Sequence, residues 1–138
     1  MLSARPANHE PMETILIEDI ISRYIKSYNS RDIEGMLDCV TEDVVFENIS
    51  NTGQTMKFEG RDKMGEVASL SGNAFSYRRQ KLVSLVIGVG KAAAEIEFEG
   101  KAAVDLPNGV KAGETIKVRG ASFFEFRGQL MCRIADYS

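Results

Sequence analysis

The apolar residues change their spacing part-way along the chain, and this change limits the fold more than any other feature. In the first part of the chain they recur at steps of three and four, the spacing of one helix face. This apolar stripe consists of Ile17, Ile20, Ile21, Tyr24 and Tyr28. The spacing predicts a helix from Glu13. Two shorter helices are predicted over residues 33–40 and 62–70, the first of them capped by Asp32.

Most later segments alternate with a period of two, which is typical of strands with one buried face, and residues 76–89 contain a run rich in β-branched residues, which also favours a strand. Four long strands and two short ones are predicted: residues 76–89, 92–104, 115–126, 130–137, 44–48 and 56–58. Asn108-Gly109 predicts a hairpin turn, because this pair tolerates positive φ at both turn positions. On the last strand, alternation gives one face to Leu130, Cys132, Ile134 and Asp136.

The order of these elements predicts an α+β fold. Early helices followed by an antiparallel meander are expected to pack as a layer of helices on one face of a curved sheet. The 138 residues suit a single domain, and no repeat or linker divides them. We expect residues 12–138 to form this domain. Residues 1–11 are polar and contain two prolines, so they are expected to form a flexible tail.

Charge and histidine content exclude several classes of function. The chain carries 17 basic and 20 acidic residues, a net charge of −3, whereas nucleic-acid-binding proteins are usually basic. The single histidine, His9, falls in the predicted tail. Neither a histidine-based catalytic set nor a histidine metal site is therefore expected. No glycine-rich phosphate loop precedes a helix, so no cofactor is expected either.

Cysteine usage and hydropathy favour a cytoplasmic protein. Cys39 and Cys132 lie far apart and form no CxxC motif, so both are expected to be free thiols, mostly buried, in a reducing compartment. No apolar run approaches the roughly 18 residues needed to cross a bilayer, and the N-terminal residues lack the apolar segment of a signal peptide. We expect no membrane partner and no nucleic-acid partner.

Polar side chains on otherwise apolar faces mark the candidate site. They are Tyr24 on the first helix and Asn48, Ser122 and Asp136 on three strands. Because buried polar groups need partners and a buried carboxylate is costly, such a group predicts a cavity. We expect Asp136 to be the catalytic base, with Tyr24 and Asn48 as hydrogen-bond donors. The expected pocket lining on these faces is Phe46, Ser122, Phe124 and Ile134.

Each of the four polar residues also has a purely structural alternative. Tyr24 could pack in the core with its hydroxyl near the surface, and Asn48 could cap the loop that follows its strand. Ser122 is small enough for any strand. Asp136 lies near the end of the sequence and could be solvated there.

Two stretches of the sequence carry a family pattern. The first is RYIKSYNSRDIEGML at residues 23–37, continued by TEDVVF at 41–46. The second is FFEF at residues 123–126, followed by CRIADY at 132–137, and Gly60-Arg61 before the third helix fits as well. Over residues 13–138 the chain resembles the SnoaL-like domains of the nuclear-transport-factor-two-like superfamily. That superfamily includes ketosteroid isomerases, polyketide cyclases and epoxide hydrolases.

The resemblance implies a cone-shaped sheet with a pocket at its wide end, and dimers formed through the outer sheet face. It also implies substrates like polyketides, terpenes or steroids, and it matches Tyr24 to the isomerase tyrosine that binds the enolate oxygen. The two isomerase carboxyl positions correspond to Asn48 and Ser122. An amide cannot accept a proton, so isomerisation by the steroid route is not expected.

In the epoxide-hydrolase branch, the resemblance matches Asn48 and Asp136 to the pair that positions the attacking water. The assisting tyrosine of that branch corresponds to Phe46, and residues 94–100 contain no arginine, so the full hydrolase set is absent. Two interpretations remain. The chain is a cofactor-independent isomerase, cyclase or hydrolase acting on a small hydrophobic substrate, or it is a non-catalytic ligand-binding or assembly domain.

Overall fold

Three helices pack against a curved six-stranded sheet that does not close into a barrel, which confirms the predicted α+β class. A computed structural model describes residues 10–50 and 53–138. The elements are α1 (Glu10–Asn29), α2 (Ile33–Leu37), β1 (Val40–Ile49), β2 (Met56–Glu59), α3 (Arg61–Gly72), β3 (Phe75–Gly88), β4 (Lys91–Ala102), β5 (Thr115–Arg127) and β6 (Leu130–Tyr137). Among the described residues, no helix is long and apolar enough to span a membrane.

The sheet order brings the first strand beside the last. The strands follow the order β2-β1-β6-β5-β4-β3. Strands β3 to β6 form the predicted antiparallel meander, and β2 pairs antiparallel with β1. Strand β1 runs parallel to β6, a long-range pairing that local sequence patterns do not encode. This pairing places the end of β1 next to the end of β6, where two of the candidate site residues lie.

The apolar stripe of α1 is buried as predicted. Ile21 is fully buried, and Ile17, Ile20 and Tyr24 are each at most 6% exposed. They pack in one core cluster with residues of the sheet and of the two shorter helices. Burying an aliphatic side chain of this size stabilises the fold by roughly 1.5–3 kcal/mol, so the stripe is what fixes α1 to the sheet.

The short helix α2 begins at the predicted cap. Asp32 is its N-cap residue, and the Asp32 carboxylate accepts a hydrogen bond of 3.0 Å from the Gly35 backbone N–H. Gly35 permits this close approach, since a Cβ at that position would lie 2.5 Å from both the Asp32 carboxylate and the Ser27 hydroxyl. The helix ends at Leu37, earlier than predicted, because Val40 already belongs to β1.

On the last strand, β6, the residues before Cys132 face the opposite side of the sheet from the one predicted. Glu125 pairs with Arg133 and Phe126 pairs with Met131, so Cys132 is an extra residue in a β-bulge. The bulge reverses the alternation on its N-terminal side. Met131 is fully buried in the core, and the prediction that Leu130 and Cys132 share the face of Ile134 and Asp136 is therefore wrong.

The turn at Asn108-Gly109 is present but differs in conformation. Gly109 has φ +92°, and its backbone N–H bonds to the Leu106 carbonyl at 3.1 Å. Asn108 does not have positive φ, so the two residues do not both adopt the positive φ that the pair tolerates. The cause is the length of the connection: residues 103–114 separate β4 from β5, whereas a two-residue turn is needed only when the strands adjoin it directly.

Helix α1 begins at Glu10, three residues before the predicted start. Pro11 is compatible with this position because the first turn of a helix does not use its backbone N–H groups. The rest of the predicted tail, including His9, lies outside the described residues.

Candidate active site

Three of the predicted site residues lie side by side in one row across the sheet. Asp136 on β6 is in register with Asn48 on the parallel strand β1 and with Ser122 on the antiparallel strand β5. The next row contains Phe46, Ile134 and Phe124 in the same strand order. All six strand residues named from the sequence therefore fall in two adjacent rows on one face, with their polar members in one row.

The carboxyl group of Asp136 is the centre of the polar row. The Ser122 hydroxyl donates a 2.6 Å hydrogen bond to Asp136 Oδ1, and Ser122 itself is 7% exposed. Dense protein around the carboxyl group raises the pKa of Asp136 from 3.8 to about 6, with the Ser122 hydrogen bond acting in the opposite direction. Asp136 is partly exposed because it lines a cavity. The alternative in which it is simply solvated near the end of the sequence therefore does not describe its position.

Tyr24 reaches the same place from α1. It is 6% exposed and lines the cavity together with Asp136. Burial raises the pKa of Tyr24 well above its ordinary value of 10, and the negative charge of Asp136 raises it further. The phenol therefore stays protonated at neutral pH and remains a hydrogen-bond donor.

The cavity has a volume of about 370 Å³, within the range of small-molecule sites. Tyr24, Asn48, Asp136 and Phe46 line it. Phe124 and Ile134 do not, since they are 2% and 1% exposed and lie in the core. Ser122 contributes through its hydrogen bond to Asp136 rather than by lining this cavity.

Aromatic and methionine side chains form the apolar wall. The Phe46 and Phe58 rings stack with centroids 5.0 Å apart, and Phe75 meets Phe98 edge to face at 5.5 Å. Other apolar members of the lining include Met36, Met56, Met64, Val67 and Ala68. Such a wall is suited to a largely hydrophobic ligand.

The sequence patterns did not single out five further polar lining residues: Tyr28, Ser71, Arg78, Gln80 and Ser138. Arg78 is 6% exposed, and its guanidinium carbon lies 4.1 Å from the centre of the Tyr28 ring. Arg78 and Gln80, both on β3, share the inner face of the sheet with Leu82. The two-residue spacing of these three residues is visible in the sequence. Irregular pairing interrupts β3 both between Phe75 and Tyr77 and between Leu82 and Ser84, which prevents a single alternation from revealing that face.

Within the described residues, no group of three or more histidine, cysteine, aspartate or glutamate side chains is placed to hold a metal ion. Both cysteines are free, with Cys39 buried and Cys132 half-buried. The side-chain groups that could do chemistry in the cavity are thus a carboxyl, two phenols, two amides, a guanidinium and two serine hydroxyls.

The sequence profile of the SnoaL-like domain matches residues 21–134. The chain belongs to the SnoaL-like domain family. Solved structures agree on the fold. A candidate polyketide cyclase from Silicibacter sp. TM1040 is 26% identical, with a TM-score of 0.70 and coverage of 87% of this chain and 86% of that one. A second candidate polyketide cyclase, from Xanthomonas campestris pv. campestris, is 20% identical, with a TM-score of 0.73 and coverage of 89% and 90%.

A more distant solved structure with the same fold is that of a hydrolase. An LEH-like epoxide hydrolase from M. tuberculosis is 12% identical with a TM-score of 0.69, and 86% of this chain and 79% of that one are covered. At this identity the likeness concerns the fold alone. No curated protein matches the sequence significantly. Family membership therefore supports a small-molecule pocket protein of enzyme-like type without naming the reaction.

Proposed function

We propose that this SnoaL-like protein is a cofactor-independent enzyme that moves a proton next to a carbonyl group of a small hydrophobic substrate, leading to isomerisation or cyclisation. The observation that carries the proposal is Asp136, a largely buried carboxyl group on the wall of an apolar cavity with its pKa raised to about 6. A general base is most effective when its pKa lies close to the working pH.

The proposed step balances within the cavity. The free oxygen of Asp136 takes a proton from a carbon next to the substrate carbonyl, and the electron pair of that C–H bond moves to the carbonyl oxygen. The Tyr24 hydroxyl, held protonated by its raised pKa, donates a hydrogen bond to the enolate oxygen. Return of the proton to a different carbon gives an isomer. Attack of the enolate carbon on a second carbonyl of the same molecule gives a ring.

The position of the base supports this chemistry despite the loss of the isomerase carboxylate. The resemblance places that base at position 48, where this chain has an amide. Asn48 is in register with Asp136 on the adjoining strand, so a carboxylate one strand away serves the same cavity. The Asn48 amide is then available as a second donor to the developing oxyanion.

The pH dependence of deuterium exchange tests the proposal. In D₂O, the protein is expected to exchange the acidic C–H of hydrophobic ketones and 1,3-diketones, with a rate that falls as the pH drops through about 6. Protonated Asp136 cannot accept a proton, which explains the direction. NMR measures the rate, and Tyr24→Phe should slow it while Tyr77→Phe, at an exposed residue, should not. A pH-independent rate, or one unchanged by Tyr24→Phe, would contradict the mechanism.

Ligand binding without turnover is the second candidate function. Its support is that the positions matched to both isomerase carboxyl groups hold Asn48 and Ser122, so the described lining contains one carboxyl side chain where those enzymes have two. Tight binding of a hydrophobic ligand with no proton exchange would favour this function. Epoxide hydrolysis is less well supported, because Phe46 stands at the position of the assisting tyrosine, and diol formation from epoxides is not expected.

We also propose that the protein is a homodimer formed through the outer sheet face, and that it is cytoplasmic as its free cysteines suggest. Phe123 and Tyr137 meet edge to face with centroids 5.4 Å apart, yet they are 44% and 36% exposed. A solution mass of twice 15.2 kDa is expected, and Phe123→Ser should reduce it toward that of one chain. A monomeric wild-type protein would contradict the dimer.

A further inference from the structure

Arg78 is a buried cation for which the described residues provide no anion. The residue is 6% exposed and lines the cavity. Its Nε is buried without a hydrogen-bond partner, and no Asp or Glu of the described chain lies within ion-pair distance of it. Its contact in the cavity is with Tyr28, whose ring centre lies 4.1 Å from the guanidinium carbon. Burying a cation without a partner is costly, so an anionic group of a ligand in the cavity would stabilise it.

A second arginine strengthens the positive potential at this end of the cavity. A Cβ added to Gly72 would lie 3.6 Å from Arg31 Nη1 and 3.7 Å from Arg78 Nη2, so the two guanidinium groups approach the same point. Arg31 donates to the backbone carbonyls of Gly72 and Phe75, both at 2.7 Å, and the described residues provide it with no carboxylate either. Arg31 is exposed and is held by neutral carbonyl groups, so no carboxylate of the described residues neutralises either positive charge.

Asp136 lies at the other end of the site. Arg78 pairs with Gly100 in the sheet, whereas the row of Asp136 and Ser122 continues to Ala94. Gly100 and Ala94 are six residues apart on β4, which corresponds to at most roughly 20 Å along a straight strand. The curvature of the sheet shortens the distance between the side chains above them. Tyr28, beside Arg78, and Tyr24, near Asp136, are one helical turn apart on α1, roughly 6 Å between their Cβ atoms.

We propose that Arg78 binds a carboxylate group of the ligand, so that the substrate class is a hydrophobic keto acid. The carboxylate contacts the guanidinium, the apolar part fills the aromatic wall, and the ketone lies beside Tyr24 and Asp136, about one helical turn away. Arginine suits this role because its planar fork donates two parallel hydrogen bonds to a carboxylate. The assignment of a keto acid as the substrate rests on the proposed function, whereas the binding of an anion by Arg78 does not depend on it.

Matched ligands test the proposal by binding rather than by turnover. The probes are 5-oxo-5-phenylpentanoate and its neutral primary amide, titrated by calorimetry at pH 7.5 into the wild-type protein and into Arg78→Met. The acid is expected to bind the wild-type protein at least tenfold more tightly than the amide. In Arg78→Met, which keeps the apolar length of the side chain, the two should bind within twofold of each other.

Arg79→Met is the matched control. Arg79 is the next residue of β3 and is exposed, so it carries the same charge on the opposite face, and its variant should keep the tenfold preference. Thermal unfolding checks that Arg78→Met is folded. Equal binding of acid and amide to the wild-type protein, or a preference that persists in Arg78→Met, would overturn the proposal.

The deuterium-exchange assay distinguishes failure of the anion site at Arg78 from failure of the proposed enzymatic function. Acid-selective binding that depends on Arg78, without any exchange of the probe, would support the anion site and contradict the enzyme. Exchange of neutral ketones, without tighter binding of acids than of amides, would support the proposed enzyme and contradict the anion site.

Discussion

An Asp136→Asn variant is expected to lose at least 100-fold in the rate of proton exchange and yet to be more stable than the wild-type protein above pH 6. The loss follows from the role of Asp136 as the base, since a positioned general base contributes roughly 10²–10⁴-fold and an amide cannot accept the proton. The amide oxygen of Asn can still accept the hydrogen bond from Ser122, so the row across β1, β6 and β5 should be retained.

The gain in stability follows from the sign of the pKa shift. The folded protein raises the pKa of Asp136 from 3.8 to about 6, so the folded state binds this proton more tightly than the unfolded state does. Below pH 4 the group is protonated in both states and costs nothing. Between pH 4 and pH 6 the unfolded state releases this proton while the folded state keeps it, so the cost grows over this range and reaches roughly 2–3 kcal/mol above pH 6, where the folded protein holds a buried anion. Asp136→Asn removes this cost.

Urea unfolding of both proteins at pH 4, 6 and 8 measures the effect. The difference in unfolding free energy should be close to zero at pH 4 and should favour the variant at pH 8. Asp43→Asn is the control of opposite sign, because a hydrogen bond with Arg127 lowers the pKa of this exposed carboxyl. Its loss should destabilise the protein slightly and equally at pH 6 and pH 8, because this contribution fades only below pH 4. A destabilised Asp136→Asn at pH 8 would show that the carboxylate is structural.

Local alternation was sufficient to predict the polar row of the site. Asn48, Ser122 and Asp136 each stood out as a polar residue on an apolar face of its own strand, and this depends only on the two-residue period of a strand. Their adjacency depends on which strands pair. The parallel contact between β1 and β6 joins the beginning and end of the chain, and the sequence indicated it only through the resemblance to a known fold.

Irregular strand pairing limited the rest of the prediction. One extra residue reverses every face beyond it, and β3 and β6 both contain irregularities in pairing. On β3 this concealed Arg78, the most buried charged side chain of the site. On β6 the bulge follows Met131 in the chain, so the faces of Ile134 and Asp136 were correct while those before Cys132 were not.

Met131→Ala is expected to lower the free energy of unfolding by roughly 2–5 kcal/mol, the usual cost of truncating a buried methionine. Met131 is fully buried, and its backbone N–H donates to the Cys39 carbonyl at 2.9 Å. Truncation therefore leaves a cavity at the point where β6 meets the chain entering β1. Chemical denaturation of the purified variant measures the loss, with an unchanged denaturant slope showing that the transition is still cooperative.

Leu130→Ala is the matched control, because it removes a similar volume from the neighbouring residue. Leu130 is only half-buried and pairs with Arg127 beside the tight turn, so its truncation should cost clearly less than that of Met131. Uninterrupted alternation predicts the opposite order, since it would place Leu130 in the core and Met131 outside. The two losses thus decide whether Cys132 forms a bulge in solution, and a larger loss for Leu130→Ala would contradict it. The bulge matters to the site because it lets Met131 fill the core while Asp136, five residues later on the same strand, still faces the cavity.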